Sequence, residues 1–280
     1  MKPADVDWER LLLEATMKVQ LAVQAEARQG RRGEAVGIGA SGDKTTVADK
    51  KAEDLLIGAL AKIQGVRVLS EEKGQAGDSK GRLLAIIDPL DGSSNFERGI
   101  PFYCTSVAIA SGPSQGDIFF GIVRNLVSGE VYTATKGRGA KKDGRKIHTS
   151  KTTELSRAVA GIDISRASQE TLGRLLPLMG SVSRQVHYGA NALELCLMAE
   201  GKTDAFVDLR GRMRTVDFAA AQLIASEAGG VVSSPNWDLV RFSLDLESRF
   251  SFVASSNEEL HRNVLECLDG DRRPRKDSTV

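Results

Sequence analysis

The sequence predicts an α/β protein, with a first half built on a mixed sheet and a second half in which strands and helices alternate. Three observations carry that expectation. The opening segment repeats apolar residues at helical intervals. Between Val66 and Tyr132 short apolar runs are punctuated by turn residues, and from Ala158 onward strand-like and helix-like runs take turns. The chain has 280 residues, 41% of them apolar and 27% charged, enough for one large core or two modest ones and close to the globular average. That balance excludes disordered and collagen-like architectures.

The elements follow in order. Leu11, Leu12, Ala15, Val19 and Ala22 among charges predict an amphipathic helix over 6–29. Residues 30–42, rich in Gly and Arg, read as an exposed loop. A threonine start and good helix formers predict a helix over 46–63. VRVLSEE and RLLAIID are buried strands that each end in carboxylates, and SVAIA, DIFFGIV and GEVYTAT are antiparallel strands joined by turns. GRGAKKDGRK is a basic, solvated hairpin turn. In the second half, AVAGIDI, RQVHY, DAFVDL, VVSS and FSFVASS are strands. Helices are expected over 168–179, 190–199, 215–228 and 257–268, the third stopped by Gly229-Gly230. Residues 1–269 are expected to form one unit with sub-halves of about 1–152 and 153–269, followed by a charged, disordered tail over 270–280.

Thirty-eight basic residues against 37 acidic ones give a net charge of +1, too little for a global field that grips nucleic acid or an anionic membrane. No apolar run approaches the roughly 18 residues that span a bilayer. The N-terminus lacks the apolar core of a signal peptide, and Cys104, Cys196 and Cys267 form no CxxC pair. The expected setting is a reducing cytoplasm, without a disulfide framework or zinc knuckle.

The densest chemical signal is IIDPLDGSSN, residues 86–95. An apolar strand delivers Asp88 at its end, and Pro89, lacking an N–H, is expected to stop strand pairing there. A tight turn would aim Asp88, Asp91 and the Leu90 carbonyl at one point, a set of hard oxygen ligands suited to Mg2+. Gly92, Ser93 and Ser94 would open a helix whose free N–H groups and dipole seat a phosphate. Taken alone, the segment also reads as a strand followed by an Asx turn and a helix cap. Glu71 and Glu72 end another strand, Asp217 begins a helix, and Asp49 lies near the start of the helix after Thr45. Each has an ordinary explanation as a helix-start or surface carboxylate.

Together, GDKTTVADKKAED, SEE, DPLDGSSNF and VDFAAAQLIASEAGG, in that order, resemble the signature set of the inositol monophosphatase family of Mg2+-dependent, lithium-sensitive sugar phosphatases. The resemblance runs from about residue 5 to 268. YGANALEL and AFVDLR look most like archaeal-type members with dual inositol monophosphatase and fructose-1,6-bisphosphatase activity. It implies the sugar-phosphatase fold, an αβαβα sandwich of helix layers and two mixed β-sheets, in a homodimer. It assigns Glu71, Asp88, the Leu90 carbonyl, Asp91 and Asp217 to two or three Mg2+ ions, with Mn2+ as a substitute and Li+ as an inhibitor. Ser93 and Asp49, with Glu71 nearby, match the groups that activate the attacking water. Gly92, Ser93 and Ser94 match the phosphate seat, and Gly189, Ala190, Asn191, Asp208 and Arg210 the sugar contacts, alongside Asp88, Asp91 and Asp217. Arg210 would take a second phosphate or sugar hydroxyls bidentately. Asp43, Lys44 and Thr45 would hinge a mobile loop beside the site. This sequence departs from the family pattern at Val216, where tryptophan is common, and in a slightly longer spacing before Asp217.

The implied reaction is hydrolysis of a phosphate monoester by water, which needs positioning and charge stabilisation rather than a Cys or His nucleophile. Accordingly His148 and His261 read as surface residues and His187 as structural. Competing readings are a nucleotide 3′-phosphatase acting on adenosine 3′,5′-bisphosphate and a non-catalytic sugar-phosphate binder. GIGASG matches GxGxxG, but the charged segment before it is no buried strand, so a dinucleotide site is not expected. Asp43 interrupts a Walker A run, and Asp88 and Asp91, divided by Pro89, do not match the haloacid-dehalogenase pair. The basic hairpin has no aromatics on which bases would stack.

Overall fold

A computed structural model describes residues 6–40, 42 and 44–269. The tail expected over 270–280 lies outside the described residues. Helix α1 (Trp8–Arg28) starts where the Asp7 side chain accepts from the Arg10 N–H at 3.0 Å. An exposed hairpin of β1 (Ala35–Ile38) and β2 (Lys44–Thr46) follows, then α2 (Val47–Leu60) behind a Thr46–Asp49 capping box. The first half continues through β3 (Val66–Ser70), β4 (Gly74–Gly77), β5 (Leu83–Asp91), α3 (Ser93–Arg98), β6 (Cys104–Ala110), β7 (Ile118–Asn125), β8 (Val131–Thr135), β9 (Ala140–Lys142) and β10 (Arg145–Lys146). The second half runs β11 (Val159–Ile162), α4 (Gln169–Ser181), β12 (Arg184–Val186), α5 (Asn191–Ala199), β13 (Ala205–Met213), α6 (Thr215–Glu227), β14 (Val231–Ser233), β15 (Phe250–Ser255) and α7 (Glu258–Asp269). No helix among the described residues is long and apolar enough to cross a membrane.

Two mixed sheets divide the chain. The first has strand order β10-β9-β8-β7-β6-β5-β3-β4, the second β12-β11-β13-β15-β14. Side-chain alternation along the strands builds the layers. In β5, Ala85 and Ile87 pack toward α1 and α2, while Leu84 and Ile86 join the core containing α5 and α6. On the far side of that middle layer, Phe206 of β13 and Phe252 of β15 enter the same core. Val207 and Val253 turn the other way, against Leu175 of α4 and Leu260 and Val264 of α7. The result is five layers, α/β/α/β/α, as the family resemblance implies. Gly121 permits a close approach in the middle, since a Cβ there would stand 2.9 Å from the Ala220 carbonyl oxygen of α6.

Four expectations need correction. Residues 30–42 are not wholly loop, because Ala35–Ile38 pairs antiparallel with Lys44–Thr46; exposure on every residue of β1 hid the strand from any burial pattern. Pro89 does not end pairing: β5 pairs Asp88 with Ser106 and then Asp91 with Cys104, so Pro89 falls in a one-residue bulge where its missing N–H costs nothing. The short edge strand β4 was not anticipated. His261 is buried, not on the surface. Its ring nitrogens lie 2.8 Å from Ser233 Oγ and 3.2 Å from Ser255 Oγ, and burial lowers its pKa to about 4.

Candidate active site

Strand register brings the first two acids together. β3 and β5 are parallel neighbours with Ser70 opposite Ile87, so the next residues, Glu71 and Asp88, leave the same edge of the sheet side by side. Asp217 arrives from the first turn of α6. Glu71, Asp88 and Asp217 each offer an oxygen within 4.8 Å of the others, and all three residues are buried. Asp88 is fully buried; its Oδ1 accepts from the Leu90 N–H at 3.0 Å and its Oδ2 has no hydrogen-bond partner.

Such a grouping is unfavourable on its own. Burial, followed by the charges of Glu71, Asp91 and Asp217, pushes the Asp88 carboxyl well above its ordinary pKa. Burial also raises Glu71, partly opposed by Arg214, and pushes Asp91 up to about 7 with help from Asp217. Oxygen donors in excess of local positive charge, one of them buried and unpartnered, fit a hard divalent cation.

Asp91 does a second task. Its Oδ2 accepts from Ala192 N–H at 2.7 Å and its Oδ1 from Asn191 N–H at 3.2 Å, so it caps α5 across the molecule; the Cys104 thiol lies 3.4 Å from Oδ2. Oδ2 thus accepts twice, from Ala192 and from the thiol, while Oδ1 keeps a further lone pair. Asp49, also buried, holds Oδ2 against the Thr46 N–H (2.7 Å) and hydroxyl (2.6 Å). Burial raises its pKa, and its charge in turn reaches Glu71. Ser93 and Ser94 occupy the first turn of α3, whose leading N–H groups have no intrahelical acceptor. Gly92 precedes them at φ +86°, and a Cβ there would meet Ala190 Cβ at 3.0 Å and the Phe102 oxygen at 3.1 Å. Only glycine lets this turn and the Gly189-Ala190 turn approach so closely. Asn95 joins the same loops, donating to the Phe102 oxygen (2.8 Å) and the Tyr188 oxygen (2.6 Å).

On the second sheet, Asp208 and Arg210 form a bidentate pair, Nε–Oδ1 2.9 Å and Nη2–Oδ2 2.7 Å. Asp163 takes Nη2 at 2.5 Å and the Ser165 oxygen takes Nη1 at 3.1 Å. His187 lies between Glu194 (3.1 Å) and Asp163 (3.4 Å); burial lowers its pKa, but the Glu194 hydrogen bond and the two carboxylate charges outweigh that and raise it. Lys44 pairs with Glu97 at 3.0 Å, and Thr45 donates to Glu72. Asp43 lies outside the described residues. Glu72 is pushed up to about 7 by burial and by neighbouring carboxylates, against the lowering effect of Thr45.

Sequence reasoning missed Arg214, whose Nε and Nη2 lie 3.0 and 2.9 Å from the two oxygens of Asp217 and whose Nη1 donates to Glu71. An Arg three residues before an Asp at a helix start was its only sequence signal. Asp163 and Glu194 were missed too: Asp163 meets Arg210 through the packing of β11 beside β13, and Glu194 accepts from the Tyr188 and Gly189 N–H groups just before α5.

Residues 8–270 match the inositol monophosphatase family. The chain is 35% identical over 274 residues to the fructose-1,6-bisphosphatase/inositol-1-monophosphatase of Methanothermobacter thermautotrophicus, covering 94% of this chain and 96% of that one. It is 30% identical over 286 residues to the bifunctional NADP phosphatase/NAD kinase of Methanococcus maripaludis, covering 93% of this chain and 49% of that one. A crystal structure described as an inositol monophosphatase-fructose 1,6 bisphosphatase superposes with a TM-score of 0.82 at 29% identity, over 94% of this chain and all of that one. The five-layer fold agrees with these likenesses, and the chain belongs to the inositol monophosphatase family.

Proposed function

We propose that this chain is a Mg2+-dependent phosphomonoesterase of small sugar and polyol phosphates, with myo-inositol 1-phosphate and fructose 1,6-bisphosphate as preferred substrates. The observation that carries the reading is the convergence of Glu71, Asp88 and Asp217, remote in sequence, within 4.8 Å. These three, with Asp91 and the Leu90 carbonyl, would hold two or three ions. Bound there, Mg2+ supplies Lewis-acid neutralisation of phosphate oxygens and makes water more acidic. The amides and hydroxyls of Gly92, Ser93 and Ser94 orient the phosphate. The Ser93 hydroxyl and the Asp49 carboxylate would hold the attacking water in line, and the Asp49 carboxylate would take its proton. The sugar lies against Gly189, Ala190 and Asn191. Arg210, already engaged by two carboxylates and a carbonyl, supports that wall together with Asp208 instead of capturing a second phosphate outright. Because the acids come from both halves, residues 1–269 act as one catalytic unit. A homodimer in the cytoplasm completes the reading, resting on the family resemblance and the cysteine usage.

Phosphate release from a substrate panel tests it. Both sugar phosphates should be hydrolysed with Mg2+, and chelation should stop turnover until Mg2+ is restored. The nucleotide 3′-phosphatase reading is not favoured by the relatives' names. Turnover of adenosine 3′,5′-bisphosphate or NADP far above both sugar phosphates would reverse the ranking. Tight binding of the sugar phosphates with no hydrolysis would leave a non-catalytic binder.

A further inference from the structure

Arg214 stands immediately before α6 and reaches back into the acid group. Its fork covers both oxygens of Asp217 at 3.0 and 2.9 Å, and its remaining Nη1 donates to Glu71. Two of the three grouped carboxylates are therefore shared with one guanidinium, while the third, Asp88, keeps an oxygen with no hydrogen-bond partner. Arg214 lowers the pKa values of Glu71, Asp88 and Asp91 against the burial that raises them, so its charge acts on the whole group. The side chain is 22% exposed, which leaves a way out toward solvent.

A fixed guanidinium and a divalent cation compete for the same lone pairs and repel each other. We propose that Arg214 is a tethered cation that neutralises the acid group when no divalent ion is held, and that it leaves Asp217 and Glu71 when the ion enters. Metal entry and release become an exchange of one cation for another, and Arg214 sets the affinity as a built-in competitor. This rests on the metal-dependent reading above and adds to it a residue that opposes the metal.

The test uses full-length, metal-stripped protein and Mn2+ alone, without substrate. Free Mn2+ is read by electron paramagnetic resonance and stability by thermal melting. Arg214→Gln should bind Mn2+ about tenfold more tightly than wild type. Metal-free Arg214→Gln should melt several degrees below metal-free wild type, because Asp217 loses its bidentate partner and Glu71 its ion pair, and the two proteins should melt together at saturating Mn2+. Arg214→Lys, which keeps a charge but cannot span both carboxylates, should fall between them in affinity and secures a folded comparison. Equal or weaker Mn2+ binding by both variants, with wild type binding normally, would overturn the exchange and leave the phosphatase reading standing. A melting deficit that persists unchanged at saturating Mn2+ would show Arg214 still engaged, and would also overturn it. Failure of wild type and variants alike to bind Mn2+ would remove both readings together.

Discussion

Two nests of charge join the middle helices to the sheets, one where α6 meets the first sheet and one where α5 meets the second, and they are built on opposite terms. At the edge of the first sheet Glu71, Asp88, Asp91 and Asp217 crowd together, with Arg214 bridging two of them. Where α5 faces the second sheet, Asp163, Asp208 and Glu194 are matched by Arg210 and His187, and every carboxylate meets a cationic or hydrogen-bonding partner within 3.4 Å. A balanced nest is scaffolding, rigid because each member is satisfied. An unbalanced one costs stability and persists because something outside the chain completes it. Geometry alone thus separates an acid group that could hold a cation from a group whose charges are already matched.

The comparison breaks first at Asp88. In the unbalanced nest Asp88→Asn should lower hydrolysis about a thousandfold. The metal-free variant should melt no lower than wild type, because a buried repelling charge has been removed. Near-normal turnover in a phosphate-release assay would erase the distinction. In the balanced nest the opposite pattern is expected. Asp208→Asn breaks the bidentate pair but leaves Arg210 with Asp163 and the Ser165 carbonyl, and should cost about 2 kcal/mol, a melting shift of roughly 4–8 °C. Its Mn2+ affinity should stay within about twofold of wild type, and a large loss of affinity would make the second nest part of the metal site.

pH sharpens the contrast with a smaller effect. Asp91 has a folded pKa of about 7 against an ordinary value of 3.8, so the folded state holds the extra proton between those limits. Metal-free stability should therefore fall as pH rises from about 4 to 7, and saturating Mg2+ should flatten that slope. His187 is raised, so its contribution is complete below its ordinary pKa of 6.5 and is lost as pH rises through the higher folded value. That loss should survive Mg2+. Melting curves across pH with chelator and with Mg2+ check both, and identical slopes under the two conditions would contradict the account.

What the sequence revealed follows the range of the contacts. The strand that delivers Asp88, the glycine turn after it and the helix carrying Asp217 are local patterns, and each stands where periodicity placed it. The family motifs linked Glu71 and Asp217 to that segment, and β3–β5 register supplies the physical reason they meet. The Arg210–Asp163 pair escaped because it depends on β11 lying parallel to β13. Asp91 was legible as an acid at a turn but not as the cap of α5, about a hundred residues onward. His261 was misread because a polar residue on an amphipathic helix signals solvent, whereas here Ser233 and Ser255 meet it inside. Arg214 escaped for another reason: a cation beside an acid reads as a surface helix pair until burial shows what the acid faces.

The most direct measurement is anomalous X-ray scattering from crystals soaked in Mn2+. Anomalous peaks should stand between Glu71, Asp88 and Asp217, with the Arg214 guanidinium drawn off them. Peaks elsewhere on the chain, or full Mn2+-dependent hydrolysis without density among those three carboxylates, would contradict the assignment.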